Sequence, residues 1–306
     1  MDELTLLREF RGSAPAAAPA AVRRRVLEGP TPSRPGPSRR LSALASGSVV
    51  LAATATVFAL SAGPSAPPSA ATVLHRAANH VMRAAPVPTP RADQWIYHRS
   101  LQADPETGQP GTRPADYWSR ADGRQYAESL PNGKIDVQAI LKNPLGTPLQ
   151  WYDLAEALPD TPEGVLDMLR RNPLYTSHAS TPAARDFDEL TTALTSDTVL
   201  PPESIARLYR ALATIPGVSV DRDAPVDLSG RPVLSITYDG DSSLGRPGDR
   251  WELLLDPDSY RVIGLRGTAG HDLDLKNGTV IPAGTIWFNW AYLAEGVVDR
   301  PGQLVD

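Results

Sequence analysis

A chain of 306 residues with a formal net charge of −5 and no cysteine excludes several classes at once. Without cysteine there are no disulfides, no thiolate metal sites, no cysteine nucleophile and no lipid-modified anchor residue. The acidic balance argues against sequence-independent nucleic-acid binding, so no nucleic-acid partner is expected.

Residues 1–40 depart from that balance. They hold eight arginines against Asp2, Glu3, Glu9 and Glu28, a net +4, which leaves −9 for the remainder. Leu4, Leu7 and Phe10 recur at helical spacing. Ala14 to Ala21 is only Ala and Pro, and Gly29 to Ser38 contains four prolines. Such a stretch builds no core. Residues 1–40 are therefore expected as a mostly disordered basic tail in the cytoplasm. The stripe at Leu4, Leu7 and Phe10 could dock on a cytoplasmic partner; the alternative is an orientation signal alone.

Leu41 to Ala62 is a run of 22 residues without a charge, Pro, Asn or Gln. As a helix it rises about 33 Å, enough for a hydrocarbon core of about 30 Å. Residues 41–62 are thus expected as a transmembrane helix, with the lipid bilayer as partner. Arg34, Arg39 and Arg40 precede the run and the first basic residue after it is Arg76. The positive-inside rule then puts the N-terminus in the cytoplasm and the C-terminal part outside the plasma membrane. The competing reading is a cleaved signal peptide, for which both the leader and the apolar run are long.

Residues 63–69 read as a linker, 70–300 as an exported α+β domain and 301–306 as a tail. Val73, Leu74, Ala77, Ala78, Val81 and Met82 predict a helix over 70–84. Gln94 to Gln102 alternates as a strand. Tyr117–Ala121 and Arg124–Ser129 flank Asp122-Gly123, a strong hairpin signal, and Asn132-Gly133 marks a second turn. Thr161-Pro162-Glu163 starts a helix with an N-cap and Pro at its first position. Residues 182–194 and 202–213 predict two more. Period two returns after Gly217, with strands expected at 218–222, 233–238, 250–255 and 260–266, and further strands at 273–275 and 285–291. Helices between two sets of closely connected strands imply a curved antiparallel sheet covered by helices on one face. The alternative is two small domains split near Ser196.

No P-loop, HExxH, nucleophile elbow or dinucleotide fingerprint occurs. Asp239-Gly240-Asp241 begins like a calcium loop, but Leu244 stands where Gly is required and no Glu closes it. No cofactor, metal or catalytic residue is therefore expected. His98 or His271 with a nearby Asp is the one general-base option, for a hydrolase. The aromatic residues say more. Trp95, Trp118, Trp251 and Trp287 are the candidate groove residues, on strands of the two sets. Trp287 with Asn289, and Phe288 with Trp290, fall on opposite faces of a strand. The alternative is that all of these rings fill the core.

The segments Leu158–Glu163, Leu200–Val218 (LPPESIARLYRALATIPGV) and Glu252–Gly264 (ELLLDPDSYRVIG), with the start MDELTLLREFRG and Gly296-Val297-Val298-Asp299, resemble a family of actinobacterial single-pass membrane proteins of uncharacterised function. The exported part also looks loosely similar to carrier and sensor domains of the lipoprotein-localisation type. The resemblance implies an association with envelope-stress sigma factors through the tail, an apolar cavity between sheet and helices, and no catalytic residues. The function expected is a membrane-anchored extracytoplasmic binding or sensing protein for a lipid, peptide or cell-wall fragment. A structural envelope protein without a ligand, or an extracytoplasmic hydrolase, are the alternatives.

Overall fold

The computed structural model describes residues 69–305 apart from 104–110, 112, 141–145, 173, 176, 178, 222–225, 239–247, 275–277 and 279. Five helices are formed among them: α1 (Ala70–Val81), α2 (Pro148–Glu156), α3 (Pro162–Arg170), α4 (Pro182–Leu194) and α5 (Pro202–Leu212). Three of them start the same way. Thr147, Thr161 and Thr181 each turn a hydroxyl onto a backbone N–H three residues on, and proline takes the first helical position. The hydroxyl satisfies an orphan donor, and proline sits where its missing N–H costs nothing. Helix α2 uses the device with a full capping box to Gln150 and is absent from the sequence reading, because its short apolar face shows little periodicity.

No helix among the described residues is long and apolar enough to cross a membrane. The longest, α4, has 13 residues and rises about 20 Å, against the roughly 30 Å of a hydrocarbon core. This corrects the expectation of a single-pass protein. The bilayer as partner and the plasma-membrane placement are withdrawn with it. The run at 41–62, the basic tail at 1–40 and the calcium-like loop at Asp239-Gly240-Asp241 all lie outside the described residues.

The strands are β1 (Trp95–Gln102), β2 (Ala115–Arg120), β3 (Gln125–Ser129), β4 (Ile135–Ala139), β5 (Val218–Asp221), β6 (Leu234–Tyr238), β7 (Arg250–Leu255), β8 (Val262–Thr268), β9 (Leu273–Asp274), β10 (Val280–Ile281) and β11 (Ile286–Val298). Nine of them make one sheet in the order β4-β3-β2-β1-β11-β8-β7-β6-β5, and β9 pairs with β10. Every neighbour in the nine-stranded sheet is antiparallel. The 13-residue β11 joins the two strand groups. Its end pairs with β1 at Trp95↔Val298, and its start pairs with β8 at Trp290↔Leu265.

The helices cover one face. Phe187 and Leu190 of α4 and Leu208 and Leu212 of α5 pack with Ile236, Leu253 and Leu255 of the sheet, all fully buried. Truncating any of these leucines to alanine is a change of about 2–5 kcal/mol. The opposite face carries a smaller cluster of Trp95, Tyr97, Trp118, Ala127 and Val298, packed against Val305 near the C-terminus. There the Trp118 indole donates to the Gln303 carbonyl at 2.8 Å. Further along the same face, Arg266 donates to the Glu252 carboxylate at 3.0 Å, and Ser235 donates to it at 2.9 Å.

Candidate functional site

Strand register decides where the aromatic residues go. Trp95 pairs with Val298, and Tyr97 with Trp118. Trp95 and Trp118 therefore lie on the face away from the helices. Trp251 lies opposite Gly267, which lies opposite Phe288, so Trp251 belongs to the helix-facing side, where it packs in the main core. The four tryptophans singled out from sequence thus fall on two faces and cannot line one groove. Trp95, Trp118 and Trp251 are buried, at 6%, 1% and 4% exposure, while Trp287 is half-buried. The cavity among α2, α3, α4 and α5 measures about 10 Å³ and is lined by Trp151, Leu154, Leu169 and neighbouring apolar groups. It is too small for a ligand.

The helix-facing side instead carries a row of rings that sequence reading saw only in part. Trp251 meets Trp287 at 5.8 Å and Phe288 at 5.2 Å between ring centroids. Phe288 lies 6.2 Å from Trp290, and Trp290 lies 5.6 Å from Tyr292. Trp290 also lies 6.4 Å from Tyr117, which lies 6.4 Å from Tyr126. These separations are those of favourable offset and edge contacts. The row runs from β7 across β11 to β2 and β3. Except for Trp251, each of its rings is half-buried.

Two irregularities build this row. A bulge between Ile286 and Phe288 breaks the alternation of β11, so Trp287 and Phe288 both reach Trp251. Strict period two would send them to opposite faces, as the sequence reading has it, and a bulge adds the residue that defeats it. Beneath the rings sits Gly267, where a Cβ would lie 3.2 Å from both Phe288 and Trp251.

The row also holds three indole donors. The indole nitrogens of Trp251, Trp287 and Trp290 are buried without a partner among the described residues. A buried donor left unpaired costs about 1–3 kcal/mol. Three along one row call for an acceptor beyond the described residues, such as a water or a ligand.

At the β1 end His98 stacks on Tyr117, with centroids 5.2 Å apart, and its Nε2 lies 2.7 Å from the Asp197 carboxylate. Burial opposes charging of this imidazole, but the Asp197 charge, with Glu295 behind it, outweighs burial and raises His98 above its usual range. For Asp197 burial pulls upward, and the His98 cation more than offsets it, so the carboxyl stays below the usual range. The pair ties the connection between α4 and α5 to the middle of the sheet. Glu295 is held by Arg261 at 2.7 Å. Asp197 and Glu295 are therefore already paired with cations, while Glu128, opposite Tyr117, accepts from the Tyr126 hydroxyl. Burial, then neighbouring carboxylates, push the Tyr126 and Tyr292 phenols up, which keeps them neutral donors.

The hydrolase option requires a histidine with a nearby acid, and His98 has one. The imidazole is only 4% exposed and lies against Tyr117. A general base must reach the proton it abstracts, and this one does not reach solvent. His271 and Asp272 are both exposed, and the Asp272 carboxylate accepts instead from the Ala283 backbone N–H at 2.8 Å.

Comparison with known proteins adds little to this geometry. No family model matches the chain, and no curated protein matches it. The resemblance to a family of actinobacterial single-pass membrane proteins, and the looser one to lipoprotein-localisation domains, are therefore corrected. The chain is similar to a chain in the complex of MucA and MucB from Pseudomonas aeruginosa. The identity is 13%, over 76% of this chain and 59% of that chain, with a TM-score of 0.26. A superposition of that quality fixes neither a shared fold nor a shared role. The association with a sigma factor accordingly has no support here, and the membrane-anchored sensing role is not carried forward.

Proposed function

We propose that this α+β domain is a non-catalytic binding module whose site is the aromatic row from Trp251 to Tyr126. The observation that carries this reading is the pair of indole N–H groups on the half-buried Trp287 and Trp290, which have no partner among the described residues, with the buried Trp251 packed against Trp287 from the core. A site of apolar and aromatic walls with a few placed donors is the general pattern of small-molecule recognition. Asp197 and Glu295 are already paired, and the Glu128 carboxylate opposite Tyr117 accepts from the Tyr126 hydroxyl at the β3 end, so the stretch from Trp287 to Tyr292 carries rings rather than charges. It offers flat ring faces and N–H donors. The ligand that fits is neutral, rich in acceptors and flat-faced, which is the chemistry of a saccharide chain.

The test is titration of the full chain with neutral oligosaccharides of two to six units, followed by tryptophan fluorescence and calorimetry. Binding that is lost in Trp290→Ala and kept in Trp95→Phe, on the opposite face, is the expected result. A flat titration across the panel, or equal loss in both variants, overturns the proposal.

A further inference from the structure

The sheet ends at β4, and this edge differs from the other one. Strand β5, at the far end, is short and packs against α1 and the main core. Beyond β4 no strand pairs among the described residues. Its side chains read Ile-Asp-Val-Gln-Ala, with Ile135 37% and Val137 45% exposed. Of the usual guards of a free edge, proline, lysine and a bulge are missing from these five residues, and Asp136 brings their one charge. Leu304, 53% exposed, lies two residues from Gly302, where a Cβ would lie 3.5 Å from Ile135. The C-terminal segment therefore passes beside Ile135 at Gly302.

The backbone shows which groups are free. Ile140 N–H donates to the Arg124 carbonyl, and Leu130 N–H donates to the Lys134 carbonyl. With Val137 opposite Ala127, the even-numbered residues of β4 bond to β3. Antiparallel pairing alternates, so the N–H and C=O groups of Ile135, Val137 and Ala139 point outward.

We propose that β4 pairs with β4 of a second copy of this chain, antiparallel, about a two-fold axis at Val137. In that register Val137 faces Val137 and Ile135 faces Ala139, so the outward backbone groups meet as three bonded pairs with six hydrogen bonds. On one face the exposed Ile135 and Val137 of both copies form a continuous apolar stripe. On the other, Asp136 faces Gln138 of the second copy. Those two side chains already bond within one strand, Gln138 donating to Asp136 at 2.7 Å. An axis at Asp136 would set carboxylate against carboxylate, which is destabilising. A C2 contact of this kind needs one self-complementary patch, and β4 has it. The axis stands perpendicular to the sheet. Both helix-facing sides then point the same way, and the aromatic rows of the two copies approach each other through Tyr126.

The chain contains no cysteine, which makes the register directly testable. A bonded antiparallel pair has its Cα atoms about 5.5 Å apart, within the disulfide range of about 4.4–6.8 Å. Full-length Val137→Cys should give a covalent dimer under mild oxidation, while Asp136→Cys, off the axis, should not. Sedimentation equilibrium of the unmodified chain should show a concentration-dependent dimer. Val137→Lys should abolish it, and Gln138→Lys, which sets a cation against Asp136 of the second copy, should tighten it at least several-fold. A monomer throughout the concentration series, or equal cross-linking at 136 and 137, overturns the proposal. A dimer that survives Val137→Lys overturns it as well.

Discussion

The contact between β8 and β11 holds the aromatic row in register, and Gly264 is the residue that allows it. Gly264 lies opposite Ala291 on β11 and Leu254 on β7. A Cβ added there would fall inside the van der Waals envelope of the Trp290 carbonyl oxygen, 3.5 Å from its carbon and 3.3 Å from Leu254 Cδ1. The leucine can rotate away. The carbonyl cannot move unless β11 moves, and Trp290 moves with it. Overpacking of this kind costs about 1–3 kcal/mol, and one ladder hydrogen bond spoiled adds about 1 kcal/mol. Gly264→Ala should therefore lose about 2–4 kcal/mol. For a domain of this size that lowers Tm by roughly 4–16 °C. Gly267→Ala is the matched control. Its nearest neighbours are side-chain atoms of Phe288 and Trp251 at 3.2 Å, which can shift a few tenths of an ångström, so its cost should be about 1 kcal/mol. Urea titration of both variants, read by tryptophan fluorescence, measures the difference. If Gly264→Ala unfolds within 0.5 kcal/mol of the parent chain (about the scatter of a surface substitution), or if Gly267→Ala costs more, the close-approach argument fails.

Two further outcomes follow from ion pairs that involve a buried side chain. Arg266 is 2% exposed, and Arg266→Met leaves the Glu252 carboxylate with only the half-exposed Arg250 at 3.6 Å and the Ser235 hydroxyl at 2.9 Å, which should cost up to about 3–5 kcal/mol; adding Glu252→Leu should recover most of that, because an apolar pair leaves no buried charge behind. Chemical denaturation of both single variants and the double variant gives the coupling. The His98–Asp197 pair should make stability depend on pH in both directions. With His98 raised in the fold, its contribution is full below its unfolded value near 6.5 and is lost as pH rises through the folded value. With Asp197 lowered, its contribution is present above the usual carboxylate range and is lost as pH falls through the folded value. Stability in urea should peak between about pH 4 and 6.5, and Asp197→Asn should flatten the profile. An unchanged profile in that variant would show that the pair does not couple to folding.

Most local elements of the described region, though not α2 or β4, were legible from residue spacing and turn chemistry. Threonine–proline starts fixed the first residues of α3 and α4, because an N-cap hydroxyl and a preset φ act within four residues. Asp122-Gly123 and Asn132-Gly133 fixed the two turns that join β2, β3 and β4, since positive φ at Gly123 and Gly133 is open to glycine at no cost. The α+β class followed from the order of periods along the chain. The apolar run at 41–62 also reads clearly, but hydropathy alone carried the membrane reading, and no helix in the described region repeats it.

Which rings share a face was settled by strand register alone. Trp95 and Trp251 are both strand tryptophans, and nothing local distinguishes them. Their faces depend on pairing between β1, β11, β8 and β7 across nearly two hundred residues, and one bulge at Trp287 reverses the parity that sequence spacing implies. The partner of His98 was equally hidden. Asp197 lies in a helix–helix connection 99 positions away, with no motif to announce it. Alternation is a property of one strand, whereas a site is a property of register between strands. That register was set here by a close approach at Gly264 and by the hydrophobic contacts of β11.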